Sequence, residues 1–146
     1  AQANEDEYVS LELAQAPVPE RYAFLQAAVA PRPIALASTL SAEGAPNLAP
    51  FSYYNLFSAV PPVVVFAPNR SARTGAHKHT YENVLATGEV VINAVSRAMA
   101  EQASLASAEF AAGVNEFEKA GFTPLPSHHV RPARVAQSPA QLECRV

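Results

Sequence analysis

The residues best suited to chemistry lie between Pro31 and Thr80. Ser38 and Thr39 close an apolar run, and Lys78 and Thr80 open a stretch of helix formers. Hydroxyls, an ammonium group and the free N–H groups of a helix N-terminus are the donors that a phosphate dianion needs. Between them, Phe51-Ser52-Tyr53-Tyr54-Asn55 follows two prolines, Pro46 and Pro50. A strand interrupted by proline leaves backbone donors unpaired beside its side chains. Aromatic walls with a few such donors suit a flat ring with one polar edge, so the combination points to an aromatic phosphate cofactor. On spacing alone, the same residues also describe a proline-rich strand carrying ordinary core aromatics.

Other chemistries lack their signatures. There is no glycine-rich dinucleotide fingerprint, no phosphate loop ending in Gly-Lys-Ser/Thr and no nucleophile elbow. His77 and His79 are two residues apart, and His128 and His129 are adjacent. Neither pair has a Cys or carboxylate at a familiar zinc spacing, so all four read as exposed loop residues and no metal site is assigned. Cys144, the sole cysteine, falls on the apolar face of a strand and reads as core. Asn69-Arg70-Ser71 matches a glycosylation sequon and is read as chance.

Several short elements must position the donors. A helix over Glu20–Val29, with Tyr22, Leu25 and Val29 on one face, is stopped by Pro31-Arg32-Pro33. Ile34–Leu40 and Pro46–Phe57 read as two strands joined by a hairpin turn at Gly44. The prolines of the second predict a bulge or a sheet edge, beyond which Phe51, Tyr53, Asn55 and Phe57 share a face. Val63–Ala67 and Glu89–Val95 read as buried strands. Helices are predicted over Lys78–Thr87, closed by Gly88, over Arg97–Ser107, with Met99, Ala103 and Leu105 as apolar positions, and over Asn115–Ala120, stopped by Gly121. The tail alternates, with Leu142, Cys144 and Val146 on one face and Glu143 and Arg145 on the other.

Composition bounds these readings. A chain of 146 residues predicts one domain. Its 49% hydrophobic and 16% charged content is too apolar for disorder. Thirteen prolines argue against a helical bundle. A net charge of −3 disfavours nonspecific nucleic-acid binding. The acidic first residues lack a signal-peptide pattern, no apolar run is long enough to cross a membrane, and a single cysteine suits a reducing compartment. A cytoplasmic location with no membrane contact is the expectation.

An ordered set of segments then adds a family. Pro31-Arg32-Pro33-Ile34-Ala35, Ser38-Thr39, Asn47 to Asn55 and Pro61-Pro62 are followed by Lys78-His79-Thr80-Tyr81-Glu82-Asn83, Ala108-Glu109-Phe110, Asn115-Glu116-Phe117-Glu118 and Ser138 to Cys144. The series resembles the flavin reductase-like family with its FMN-binding split barrel. The resemblance implies a mainly β fold with short helices, built as a six-stranded antiparallel, Greek-key-like barrel. It also implies a homodimer with FMN (or FAD) near the interface, and hydride transfer from NAD(P)H to flavin. By position, Ser38 and Thr39 would hold the phosphate or ribityl chain. Phe51, Ser52, Tyr53, Tyr54 and Asn55 would line the isoalloxazine ring, Lys78 and Thr80 would add to the phosphate site, and Arg32 would reach it. No catalytic side chain is implied, because the cofactor carries the chemistry. A flavin-using monooxygenase is the partner the family allows.

Two departures stand out. His79 occupies a position where the family often has Asp. The family's barrel also continues past the Leu-Glu-Cys strand, whereas this chain stops at Val146. Residues 31–146 are therefore expected to form a split-barrel domain lacking its closing strands, after an N-terminal arm over 1–30. The rival readings are an FMN-binding electron carrier or flavin store without efficient NAD(P)H oxidation, and a split-barrel interaction domain that has lost flavin.

Overall fold

The computed structural model describes residues 10–71, 74–108, 110, 111 and 113–146. It separates into two units, Ala1–Pro31 and Arg32–Val146. In the first, helix α1 spans Val18–Ala28, with proline in its first turn, where a missing N–H costs nothing. Arg21 Nη2 donates to the Ala16 carbonyl at 3.0 Å and ties the helix to the segment before it. The apolar face expected of Tyr22, Leu25 and Val29 is not a buried one. No residue of α1 is buried, and Val29 lies past the helix end.

The second unit begins with a hairpin of β1 (Ala35–Leu40) and β2 (Pro46–Phe51), paired from Ala35↔Phe51 to Leu40↔Pro46. Its turn closes through Ser41 N–H to the Ala45 carbonyl, with Gly44 at φ 88°. Strands β5 (Glu89–Ala94) and β8 (Gln141–Arg145) complete an antiparallel sheet in the order β2-β1-β5-β8. The edge position predicted from the prolines of β2 is what the sheet shows. The Leu48 N–H points away from β1, because it donates to Glu116. N–H directions repeat every second residue, so positions 46 and 50 face the same outward side. Both are proline and present no donor, which leaves Glu116 to satisfy the one outward N–H between them.

Opposite faces of this sheet build two cores. On one, Leu36 and Leu48 pack with Met99, Ala103, Ala106, Phe117, Ala120, Phe122 and Val135. On the other, Ala35, Ala37, Phe51, Val90 and Ile92 form a cluster joined by half-buried Val84 and Cys144. Asn93, in the middle of an apolar strand, is fully buried and fully used: its Nδ2 donates to the Leu36 carbonyl at 2.9 Å and its Oδ1 accepts from Val135 N at 2.8 Å.

Past Phe51 the chain leaves the sheet. Ser52 and Tyr53 break the strand, and β3 (Tyr54–Ala59) then pairs with β4 (Pro62–Phe66) as a separate ribbon with a register shift between Leu56 and Ser58. The single face expected for Phe51, Tyr53, Asn55 and Phe57 does not persist, because the break restarts the alternation. The Val63–Ala67 run is likewise not a buried strand. Its β4 pairs with β3 alone, and Phe57 (68% exposed), Val60 (92%) and Val65 stand in solvent. A third ribbon pairs β6 (Pro124–Leu125) with β7 (Arg134–Val135). The described strands thus form a four-stranded sheet and two ribbons, a partly open arrangement.

The helices follow local signals. Helix α2 (His79–Thr87) ends on Gly88 in the left-handed conformation. A 3₁₀ turn over Arg97–Met99 leads into α3 (Ala100–Leu105). The buried stripe is Met99, Ala103 and Ala106, at i, i+4 and i+7, so Leu105, expected among the apolar positions with Met99 and Ala103, turns outward instead of joining their face. Helix α4 (Glu116–Ala120) starts on Asn115, whose side chain accepts from Phe117 N at 3.1 Å. It closes with Phe122 N–H donating to the Phe117 carbonyl around Gly121 at φ 72°. A Cβ at Gly121 would adopt a disfavoured backbone conformation and meet Gln102 Nε2 at 3.3 Å. Gly121→Ala is therefore expected to lower stability by about 1–2 kcal/mol, read as a lower denaturation midpoint at unchanged slope.

The terminal strand carries its own correction. Leu142 and Val146 are exposed, and of the predicted apolar face only Cys144 packs on the core. Burial pushes the Cys144 thiol pKa up. On the other face, Glu143 accepts the N–H groups of His128 and His129, which hold its carboxyl below the usual carboxylate range. Both histidines are exposed, as is His77, while His79 is half-buried at the start of α2.

Candidate functional site

The side chains that close β1 and open α2 meet in a buried polar knot. Asn47 on β2 donates through Nδ2 to Thr39 Oγ1 at 3.3 Å and to Thr80 Oγ1 at 2.9 Å. Asn83 on α2 donates to the same Thr39 Oγ1 at 3.1 Å. All four residues are buried. The knot docks the N-terminus of α2 against β1 and β2, and it orients Thr80 with its hydroxyl hydrogen still to donate. Ser38 is buried too, but successive residues of a strand point to opposite faces. It lies on the Leu36 side, whereas Thr39 lies on the Ala35 and Ala37 side. The predicted pair Ser38 and Thr39 therefore does not converge on one point.

Lys78 is the N-cap of α2 and makes no capping hydrogen bond. Its Nζ instead lies 5.5 Å from the centroid of the Phe51 ring, within cation–π reach. Among the described residues it has no carboxylate partner. The first N–H groups of α2, at His79 and Thr80, have no intrahelical acceptor. Lys78, His79 and Thr80, which open α2, thus line one cavity of about 460 Å³. Asn47 and Glu116 line it too, as do Phe110 and the alanines near it in sequence. Glu109, which belongs to the same sequence segment as Phe110, lies outside the described residues.

The aromatic stretch divides around the strand break. Phe51 is buried and meets Phe66 with ring centroids 5.7 Å apart. Tyr54 is half-buried against the same cluster, and burial raises its phenol pKa, with Cys144 adding to the rise. Tyr53 lies under the Arg32 guanidinium, Cζ to ring centroid 5.9 Å. Ser52 is half-buried at the break, and Asn55 is exposed, its Oδ1 accepting from Leu56 N at 2.8 Å. Lys78 thus meets Phe51, Thr80 is tied to Thr39 through Asn47, and these four share the neighbourhood of the α2 N-terminus, while Arg32 with Tyr53 forms a second pair.

Sequence reasoning passed over Asn47, Asn83 and Glu116 as site residues. Glu116 Oε2 accepts from Leu48 N at 3.2 Å. Burial holds its carboxyl above the ordinary carboxylate range, against the opposing pull of backbone N–H groups and of His79. The one signal in the sequence was the placement of a carboxylate directly before a core phenylalanine. Among the described residues no group of three His, Cys, Asp or Glu side chains is arranged to hold a metal ion, and no helix is long and apolar enough to cross a membrane.

Comparison with known proteins bears on this geometry. The flavin reductase like domain family matches residues 28–146. An uncharacterized protein of Aquifex aeolicus is 40% identical over 126 residues, covering 86% of this chain and 63% of that protein. A second, from Deinococcus radiodurans, is 37% identical over 142 residues, covering 94% and 62%. The chain thus spans about 60% of the length of these relatives. Among solved structures, the Pseudomonas fluorescens 2-nitrobenzoate 2-nitroreductase superposes with TM-score 0.81 at 30% identity, over 94% of this chain and 64% of its own. Nitrilotriacetate monooxygenase component B from Bacillus cereus gives TM-score 0.87 at 27% identity, over 94% and 67%. Flavoredoxin of Desulfovibrio vulgaris gives 0.70 at 25%, over 80% and 61%.

Proposed function

This chain belongs to the flavin reductase like domain family, and from that membership we propose that it is an FMN-binding oxidoreductase that takes hydride from NAD(P)H. The observation that carries the reading is the meeting of Lys78, Thr80 and the α2 N-terminus in one cavity beside Phe51. The donor set fits the cofactor. Lys78 would neutralise a phosphate, while Thr80 Oγ1 and the leading N–H groups of α2 would donate to its oxygens. Thr39 would act by holding Thr80 through Asn47. Phe51 and the break at Ser52 to Asn55 would bed the ring, with Arg32 steadying Tyr53. Ser38, on the opposite face, is proposed only as support for the strand. FMN, when bound, supplies the hydride and electron transfer that no side chain here provides.

A homodimer is part of the proposal, and so is a flavin-consuming monooxygenase as partner, by analogy with the nitrilotriacetate monooxygenase component. The exposed apolar side chains of the β3–β4 ribbon support an assembled state, since an uncovered patch of this kind ordinarily marks a contact surface. The likeness to flavoredoxin favours a second reading, an electron carrier with no efficient nicotinamide site. The test is steady-state oxidation of NADH and NADPH by the FMN-loaded protein. Turnover with either donor supports the reductase. Bound flavin without turnover selects the carrier, and no flavin uptake on titration overturns both.

A further inference from the structure

The cavity that would take a phosphate also contains a carboxylate. Glu116 is buried, lines the same cavity as Thr80, Lys78 and His79, and accepts a hydrogen bond from the outward N–H of Leu48. A charge there works against an anionic ligand, while a neutral carboxyl does not. Among the described residues, His79 on α2 is the charge that acts on it. Lys78 and His77 line the same cavity, and β2 contributes no titratable side chain. On its own helix Glu118 and Lys119 are exposed, and on neighbouring α3 Glu101 is exposed.

We infer that Glu116 is a proton-linked positioning residue: its neutral form accompanies the anion-bound cavity and its ionised form opposes that state. This rests on the FMN-binding reading above. Binding and protonation are then reciprocal, so FMN must raise the Glu116 pKa by the same factor by which protonation tightens FMN. Burial already favours the neutral form, which places the transition above the ordinary carboxylate range. As pH falls through it, the wild-type cavity gains affinity.

Glu116→Gln separates charge from hydrogen bonding, because the amide oxygen can still accept from Leu48 N–H. FMN dissociation constants are to be measured for both proteins from pH 5 to 8. The titration of the phosphate in free FMN is common to both proteins, so it drops out of the ratio. The expected ratio of wild-type to variant constants is roughly fivefold or more where Glu116 is ionised, converging to one at low pH. A ratio independent of pH overturns the inference and leaves FMN binding standing, whereas failure of wild type to bind FMN overturns the reading beneath it. If the variant does not fold, carboxyl NMR of wild type decides. FMN should raise the Glu116 pKa by about 0.7 pH units, and an unmoved pKa refutes the linkage.

Discussion

Lys78→Ala combined with Thr80→Ala is expected to weaken FMN binding by at least about 100-fold, since two charge-assisted bonds of about 1.5–3 kcal/mol each are removed. Quenching of flavin fluorescence on titration reads the loss directly. The two substitutions act differently. Lys78 has no carboxylate partner among the described residues, so its removal leaves no orphaned charge and the fold should be intact. Thr80 also accepts from Asn47, so Thr80→Ala frees an amide inside the knot. Thr80→Ser keeps the hydroxyl and should retain most of the affinity. Riboflavin, which lacks the phosphate, should bind wild type and the double variant with nearly equal strength. Unchanged FMN affinity in the double variant would remove Lys78 and Thr80 from the phosphate site.

The contrast between Lys78 and Thr39 shows what was legible before the fold was known. The hairpin at Gly44, the α2 stop at Gly88 and the α4 stop at Gly121 were readable because each rests on a residue needing positive φ next to a periodic run. The edge placement of β2 was readable from Pro46 and Pro50 for the same local reason. The polar knot was not. Asn47 meets Thr80 across 33 residues of chain, Asn83 meets Thr39 across 44, and Glu116 meets Leu48 across 68. Propensity and spacing carry no information over such distances, and a buried Asn looks in sequence like any turn-forming Asn. The opposed faces of Ser38 and Thr39 were derivable from strand alternation alone. The exposure of the β3–β4 ribbon was not, because an apolar run reads the same whether its neighbours cover it or leave it open.

Phe117→Ala is expected to cost about 3–5 kcal/mol of stability, and it tests how the fold holds the site. Phe117 is among the largest fully buried side chains, packed with Leu36, Leu48 and Met99 under the sheet. Its helix has only five residues, too short to persist without tertiary packing. Asn115 caps one end and Gly121 closes the other, but neither supplies buried area, so the anchor is Phe117 itself. Losing it should loosen α4 and with it the Glu116 hydrogen bond to the outward edge of β2. That edge carries Asn47, and Asn47 carries Thr80. A denaturant titration of Phe117→Ala should therefore show a large drop in midpoint, together with weaker FMN binding although no ligand-facing group has changed. Phe117→Leu should recover most of both, whereas Leu105→Ala, on an exposed position of α3, should move stability by less than about 0.5 kcal/mol. A small loss in Phe117→Ala would mean that α4 is held by something other than its aromatic anchor. A large loss with unaltered FMN affinity would cut the path from α4 through β2 to the helix that presents Lys78.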